Sequence, residues 1–297
     1  MSSPTSPISS MTAAPTRAWL GIALALLGAG LFATKGIVVK LALREGIDSV
    51  TSLTWRMIVA VPIFLLVGWL GYRAERKKQG PGAPPILTGR TLASVMGVGI
   101  LGYYVSSTLD FSSLAHISAQ FNRLILLTYP FFVVLFAAVF FKRRITGTMI
   151  AALLVSYAGI AVIFWRDFSI EGHDVLLGAS LVFTASITYA GYQILAKPLI
   201  DRIGAQLFTS LAMAAAGPVV IAHFVLTHPL SDLAISGNGF MLMLAIGTLS
   251  TVAPAYCISF AIGLIGPERT AIIGNVSPLV TVCLAVFILG EAFTLIT

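Results

Sequence analysis

Nine apolar runs, each about the length of a bilayer-crossing helix, follow one another along the chain. They cover 18–39, 50–72, 91–114, 118–141, 146–165, 175–197, 204–226, 239–262 and 269–289. Crossing about 30 Å of hydrocarbon as helix takes roughly 20 residues. The alternating ten-residue strands of an outer-membrane barrel do not occur. The pattern predicts an all-α polytopic membrane protein. Connections are mostly tight, so neighbouring spans run antiparallel. The longest, YRAERKKQGPGAPPILTGR (Tyr72 to Arg90), has the Lys/Arg and Pro/Gly content of a solvated loop. Residues 1–17 are expected to form a flexible cytoplasmic tail, and the run after them, lacking a small-residue cleavage site, reads as a retained span.

The apolar pattern is written twice. LLTYPFFVVLFAAVFFKRRIT (Leu126 to Thr146) lies over GNVSPLVTVCLAVFILGEAFT (Gly274 to Thr294) without a gap, at an offset of 148. The two share Pro130 with Pro278 and Thr146 with Thr294. At the same offset Gly99 and Leu114 of the third span fall on Gly247 and Ile262. Near an offset of 157, LGIALALLGAGLFATKGIVVKLAL overlays LGASLVFTASITYAGYQILAKPLI, matching Gly21 with Gly178 and Lys40 with Lys197. Two halves of five spans each enter a membrane from opposite sides, which is the inverted repeat of many secondary transporters. The expected divisions are a first repeat at 18–165, an outer linker at 166–174 and a second repeat at 175–297. Thr294 corresponds to the residue that opens the fifth span, so a tenth helix is expected beyond the sequence read here.

Composition agrees with this reading. Hydrophobic residues make up 58% and charged residues 10%, with a mean hydropathy of +0.97; a soluble domain carries about 25% charged residues. The net charge of +7 is not a nucleic-acid footprint, because the basic residues sit in loops. With the N-terminus inside, twelve Lys and Arg fall on the cytoplasmic side and three outside, so the N-terminus is expected in the cytoplasm. Cys257 and Cys283 lie in apolar runs and are expected as buried thiols, not a disulfide.

Several stretches carry a family likeness: GLFATKGIVVK, LTWRMIVAVPIFLL, LDFSSLAHISAQFNRLILLTYPFFVVLFAAVFF and NVSPLVTVCLAVFILGEAFT. Together they resemble the EamA-type transporters of the drug/metabolite transporter superfamily. The resemblance implies two homologous five-helix halves with both termini in the cytoplasm, and a bacterial cytoplasmic (inner) membrane location. It also implies export of small metabolites; exporters of aromatic amino acids exist in that superfamily. Lys142–Arg143 departs from the Gly-Glu pair that the family often has there and that Gly290–Glu291 supplies in the second half.

Ionisable groups inside hydrocarbon cost about 2.5–3.5 kcal/mol each, so they face inward. Here they are Lys35, Arg56, Asp110 and Arg123. At 1.5 Å per helical residue all four lie roughly 6–9 Å below the outer interface. Their second-half counterparts are Tyr192, Met213, Ile258 and Ala271, so the charged layer is not repeated. The structural alternatives are that Lys35 snorkels to the surface and that Asp110 neutralises Arg56 or Arg123. Tyr103, Ser107, Asp110 and Ser113 form one helical stripe. Ser186, Tyr189, Tyr192 and Gln193 share one side of the sixth span, and Asn275 and Ser277 flank the second proline. Tyr103, Tyr104, Tyr189, Tyr192 and Tyr256 offer aromatic walls. Pro130 and Pro278 are expected to kink their helices and serve as hinges.

These groups predict a substrate site of Lys35, Arg56, Tyr103, Ser107, Asp110, Arg123, Tyr189, Tyr192, Gln193, Tyr256 and Asn275. Neither catalytic residues nor cofactor are expected. No metal is either, since the four histidines lack ligand spacing. With no phosphate-binding loop, transport runs down a gradient or with a coupled ion. The expected partners are a small-molecule substrate, an amino acid or related metabolite, and the lipid bilayer; nucleic acid is not among them. A lipophilic-cation exporter and an integral-membrane enzyme are the rival classes.

Overall fold

The computed structural model describes residues 15–79, 86–141, 173–274 and 276–284, with Gly147, Phe287 and Ile288. The regular structure among them is helical, and seven described helices are long and apolar enough to cross a membrane. The expected fifth span lies outside the described residues apart from Gly147. So does most of the N-terminal tail.

Helix α1 (Pro15–Arg44) and α2 (Ser49–Gln79) are joined at Asp48, which accepts hydrogen bonds from the Val50 and Thr51 amides at 2.7 and 3.0 Å. Partial burial pushes the Asp48 carboxyl up. Bonds from Thr51 and Val50 outweigh it and hold the carboxyl below its usual range. The third span is α3 (Gly89–Gly99), a π-helical turn at Ile100–Val105, and α4 (Ser106–Ser113). The fourth is two pieces, α5 (Ala119–Leu126) and α6 (Tyr129–Phe141). Then come α7 (His173–Ile203) and α8 (Ala205–Thr227), separated by Gly204 alone, whose φ of 82° a side chain would resist. The eighth span is α9 (Gly237–Gly247), a π-helical turn at Thr248–Val252, and α10 (Ala253–Ile265). The ninth is again split, into α11 (Pro267–Gly274) and α12 (Ser277–Leu284).

Part of the repeat holds to the residue. Adding 148 to the bounds of α3 and α5 gives those of α9 and α11, and both π-helical turns start at the same offset. Thr88 and Ser236, 148 apart, cap α3 and α9 by accepting bonds from the Thr91 and Gly239 amides. Replacing either by Ala should lower stability by about 1 kcal/mol, read as a fall in the unfolding midpoint in detergent.

The halves also exchange roles where they meet. Helix α1 packs along α10 and the split α11/α12, while α7 packs along α4 and the split α5/α6. Helices α2 and α8 pack on each other. A Cβ on Gly21 would stand 2.6 Å from Ile265, and one on Gly178 would stand 2.7 Å from Ile117. Ile117 and Ile265 are themselves 148 apart. Close helix approach through small residues is the usual glue of membrane bundles, and here it occurs at matched positions of both halves.

Large apolar side chains on the outside, such as Trp19, Leu66 and Leu226, form the face that hydrocarbon covers. Cys283 belongs to that face, exposed, and Cys257 is only partly buried. The expectation of two buried thiols is corrected: an apolar setting in sequence does not separate lipid-facing positions from packed ones.

Candidate functional site

A chamber of about 580 Å³, counting the part open to the outside, lies between the halves. Its lining reproduces the repeat. Phe32 and Tyr189, Lys35 and Tyr192, Arg56 and Met213 are pairs offset by 157; Tyr103 and Thr251, Asp110 and Ile258 are offset by 148. All the lining residues except Ser106 and Leu126 fall into such pairs. The chamber is therefore lined by matched positions of the two halves. Both π-helical turns contribute, Gly102 and Tyr103 from one, Ser250 and Thr251 from the other. A π-turn widens the helix locally and often marks a functional position.

A second chamber of about 490 Å³ is lined by Arg123, Tyr129, Gln193 and Ser277, among others. The two share Phe32, Leu126, Tyr189 and Ile258. Phe32 and Tyr189 stack with centroids 6.1 Å apart and planes at 19°. This symmetry-related pair is the partition between the chambers.

Four ionisable side chains line these chambers, each 2–4% exposed. Lys35 and Asp110 form a buried salt bridge. The other Asp110 oxygen accepts a 3.0 Å bond from Asn122 Nδ2, which also donates to Ser113. Lys35 thus does not snorkel, and the partner of Asp110 is Lys35 in place of either arginine. Lys35 Nζ also lies 4.2 Å from the Phe32 ring centre. Arg123 donates to the Phe32 carbonyl and stacks over that ring at 5.1 Å. Arg56 lies over Phe111 at 5.4 Å, and Nε of each arginine is buried without a hydrogen-bond partner.

The residues expected at the site divide between the chambers. Lys35, Arg56, Tyr103, Ser107, Asp110, Tyr189 and Tyr192 line the first; Arg123, Gln193 and again Tyr189 line the second. Tyr103 and Tyr192 join hydroxyls at 2.7 Å. Tyr256 lines neither chamber: it bonds Ser210 at 2.8 Å and packs on Phe64. Tyr104 meets His223 edge-on instead. Asn275 lies outside the described residues. Phe32, Ser250, Thr251 and Asn122 were not singled out in the sequence. Phe32 was findable as the counterpart of Tyr189 once the repeat was applied to the aromatic positions.

Pro130 and Pro278 stand second in α6 and α12. They open helices, and each span is interrupted just ahead of its proline. Proline is tolerated in a first helical turn because its missing N–H would have no intrahelical partner there. The two interruptions face one another: α5 packs on α12 and α6 on α11, and Tyr129 Oη donates to the Ala271 carbonyl at 3.0 Å.

Two helical halves in repeat, with a chamber between them lined by aromatic rings and buried charges, fit a membrane transporter of small molecules. Residues 19–165 and 176–297 match the EamA-like transporter family, and the chain belongs to it. It is 28% identical over 291 residues to the uncharacterized transporter YcbK of Bacillus subtilis, covering 93% of this chain and 87% of that protein. An uncharacterized transporter of Synechocystis is 25% identical, covering 93% and 88%. A WAT1-related protein of Arabidopsis thaliana is 23% identical, covering 89% and 81%. A solved crystal structure superposes with a TM-score of 0.66 over 95% of this chain and 90% of its own, at 14% identity, a likeness of fold alone. The chain is thus an integral membrane transporter and not an enzyme.

Proposed function

We propose that the chain is a secondary transporter exporting small metabolites, foremost amino acids with apolar or aromatic side chains, by alternating access between two inverted repeats. The observation that carries this reading is the first chamber, in which aromatic rings from both halves surround charges contributed by the first half alone. A cation excess favours a carboxylate, and Phe32, Tyr103, Tyr189 and Tyr192 offer faces for an apolar body. The halves would rock about the chamber, with the chain interruptions ahead of Pro130 and Pro278 absorbing the bend. The Lys/Arg distribution supports a cytoplasmic N-terminus, and the family likeness supports a bacterial inner membrane.

The test is flux of labelled amino acids into vesicles carrying the purified protein, with and without a pH gradient. Arg123→Gln or Tyr192→Phe should cut flux about tenfold, the worth of one charge-assisted hydrogen bond, with expression intact. Unchanged flux would take those residues out of the pathway, and absence of any vectorial movement would sink the carrier. A lipophilic-cation exporter would lean on Asp110, whose two oxygens are already bonded by Lys35 and Asn122.

A further inference from the structure

The bonding around the chambers sets a charge balance. Lys35 and Asp110 neutralise one another, and Asn122 takes the remaining Asp110 oxygen. Among the described residues, Asp110 is the sole carboxylate lining either chamber. Arg56 and Arg123 share only the longer-range attraction of that same carboxylate: among the described residues neither has an ion pair of its own, and both keep a buried Nε with no hydrogen-bond partner. The lining therefore holds three cations against one anion, and every oxygen of that anion is engaged.

Two buried guanidiniums whose one nearby carboxylate is already paired with Lys35 are expensive, so the balancing charge belongs to what fills the chambers. Resting on the carrier reading above, but replacing its amino acid by the corresponding acid that lacks the ammonium group, we infer that the cargo is a net anion: a carboxylate on an apolar or aromatic body, gripped by Arg56. The guanidinium presents a planar fork that matches a carboxylate. Thr251, from the other half, lines the same chamber, and its hydroxyl is also buried without a partner. It supplies a second donor. A zwitterion brings its own cation to a chamber with no free carboxylate, so its ammonium loses water and gains no counter-charge. A lipophilic cation adds to the excess and fares worse.

A charge series on one carbon frame decides the matter: 3-phenylpropionate, phenylalanine and phenylalanine amide, an anion, a zwitterion and a cation. Binding is read by calorimetry on the intact chain in chloride-free detergent, since aryl carboxylates leak across bilayers when protonated. The anion should bind at least about tenfold tighter than the zwitterion, and the amide should not bind. Arg56→Gln should weaken the anion about tenfold or more, with partial recovery in Arg56→Lys, which keeps the charge but not the fork. The empty Arg56→Gln protein should unfold no earlier than the parent, because it loses an unpaired buried charge. If that variant does not fold, the series on the parent decides alone.

Phenylalanine binding as tightly as phenylpropionate overturns the inference and leaves the carrier reading standing. Chloride raising the unfolding midpoint as far as phenylpropionate does, with both effects lost in Arg56→Gln, assigns the site to an inorganic anion and overturns it as well. Failure of the carrier reading is read separately, as no vectorial movement of any labelled metabolite in vesicles.

Discussion

Asp110→Asn should destabilise the protein by about 3–5 kcal/mol, and Lys35→Met by less. The first strands Lys35 in a site 2–3% exposed, whereas after the second Arg123 and Arg56 still attract the Asp110 carboxylate. For Asp110→Asn the remainder is worse than one orphan, since Lys35, Arg56 and Arg123 then share the region with no anion among its described lining residues. The double variant Lys35→Met/Asp110→Asn removes both charges and should lose clearly less than the sum of the two, by about 2 kcal/mol or more. Unfolding midpoints of the four proteins in one detergent close the cycle. Strict additivity would mean that the two side chains act independently and that the buried pair is not a unit.

The second large effect is at Gly99. A Cβ there would stand 2.4 Å from the Ala212 carbonyl oxygen and 2.6 Å from its Cα. These are backbone atoms of α8, so relief requires two helices to part. Gly99→Ala should cost about 3 kcal/mol, the upper end for overpacking. Gly247, its counterpart, meets the Cβ and Cγ1 of Val59 at 2.6 Å; Cγ1 can turn aside but Cβ moves only with its backbone, so Gly247→Ala should cost about 2 kcal/mol. Gly97, two residues from Gly99, has open space around it; Gly97→Ala should be neutral or slightly stabilising on helix propensity alone. The order Gly99, Gly247, Gly97 in unfolding midpoint is the check, and a Gly97 variant as damaged as Gly99→Ala would refute the contact argument.

The spans and the doubling were legible because lipid admits only backbone satisfied within a segment, and because α3 and α9 keep one offset without insertion. The four buried charges were legible for the same reason: each stands out against hydrocarbon. Their pairing was not. Lys35, Arg56 and Arg123 occupy one depth, and which of them meets Asp110 depends on helix rotation, which hydropathy does not encode. The π-helical turns were also hidden, since an extra residue per turn leaves composition untouched. The prolines signalled a disturbance in spans four and nine. A proline reads alike inside a bend and at a helix start, so the interruption ahead of it was not distinguishable from a kink. Tyr256 was misplaced because an aromatic in an apolar run reads the same whether it faces the axis or packs between α10, α8 and α2.

Lys35, Arg56, Asp110 and Arg123 all come from the first half, while Tyr192, Met213, Ile258 and Ala271 stand at the mirrored places. A chemically symmetric vessel could pass a molecule from one clasp to its twin and turn it end over end on the way. This one has a single clasp. Under the proposed anchoring at Arg56, the cargo's charged end would stay moored to the same half throughout the crossing and would leave in the orientation in which it arrived.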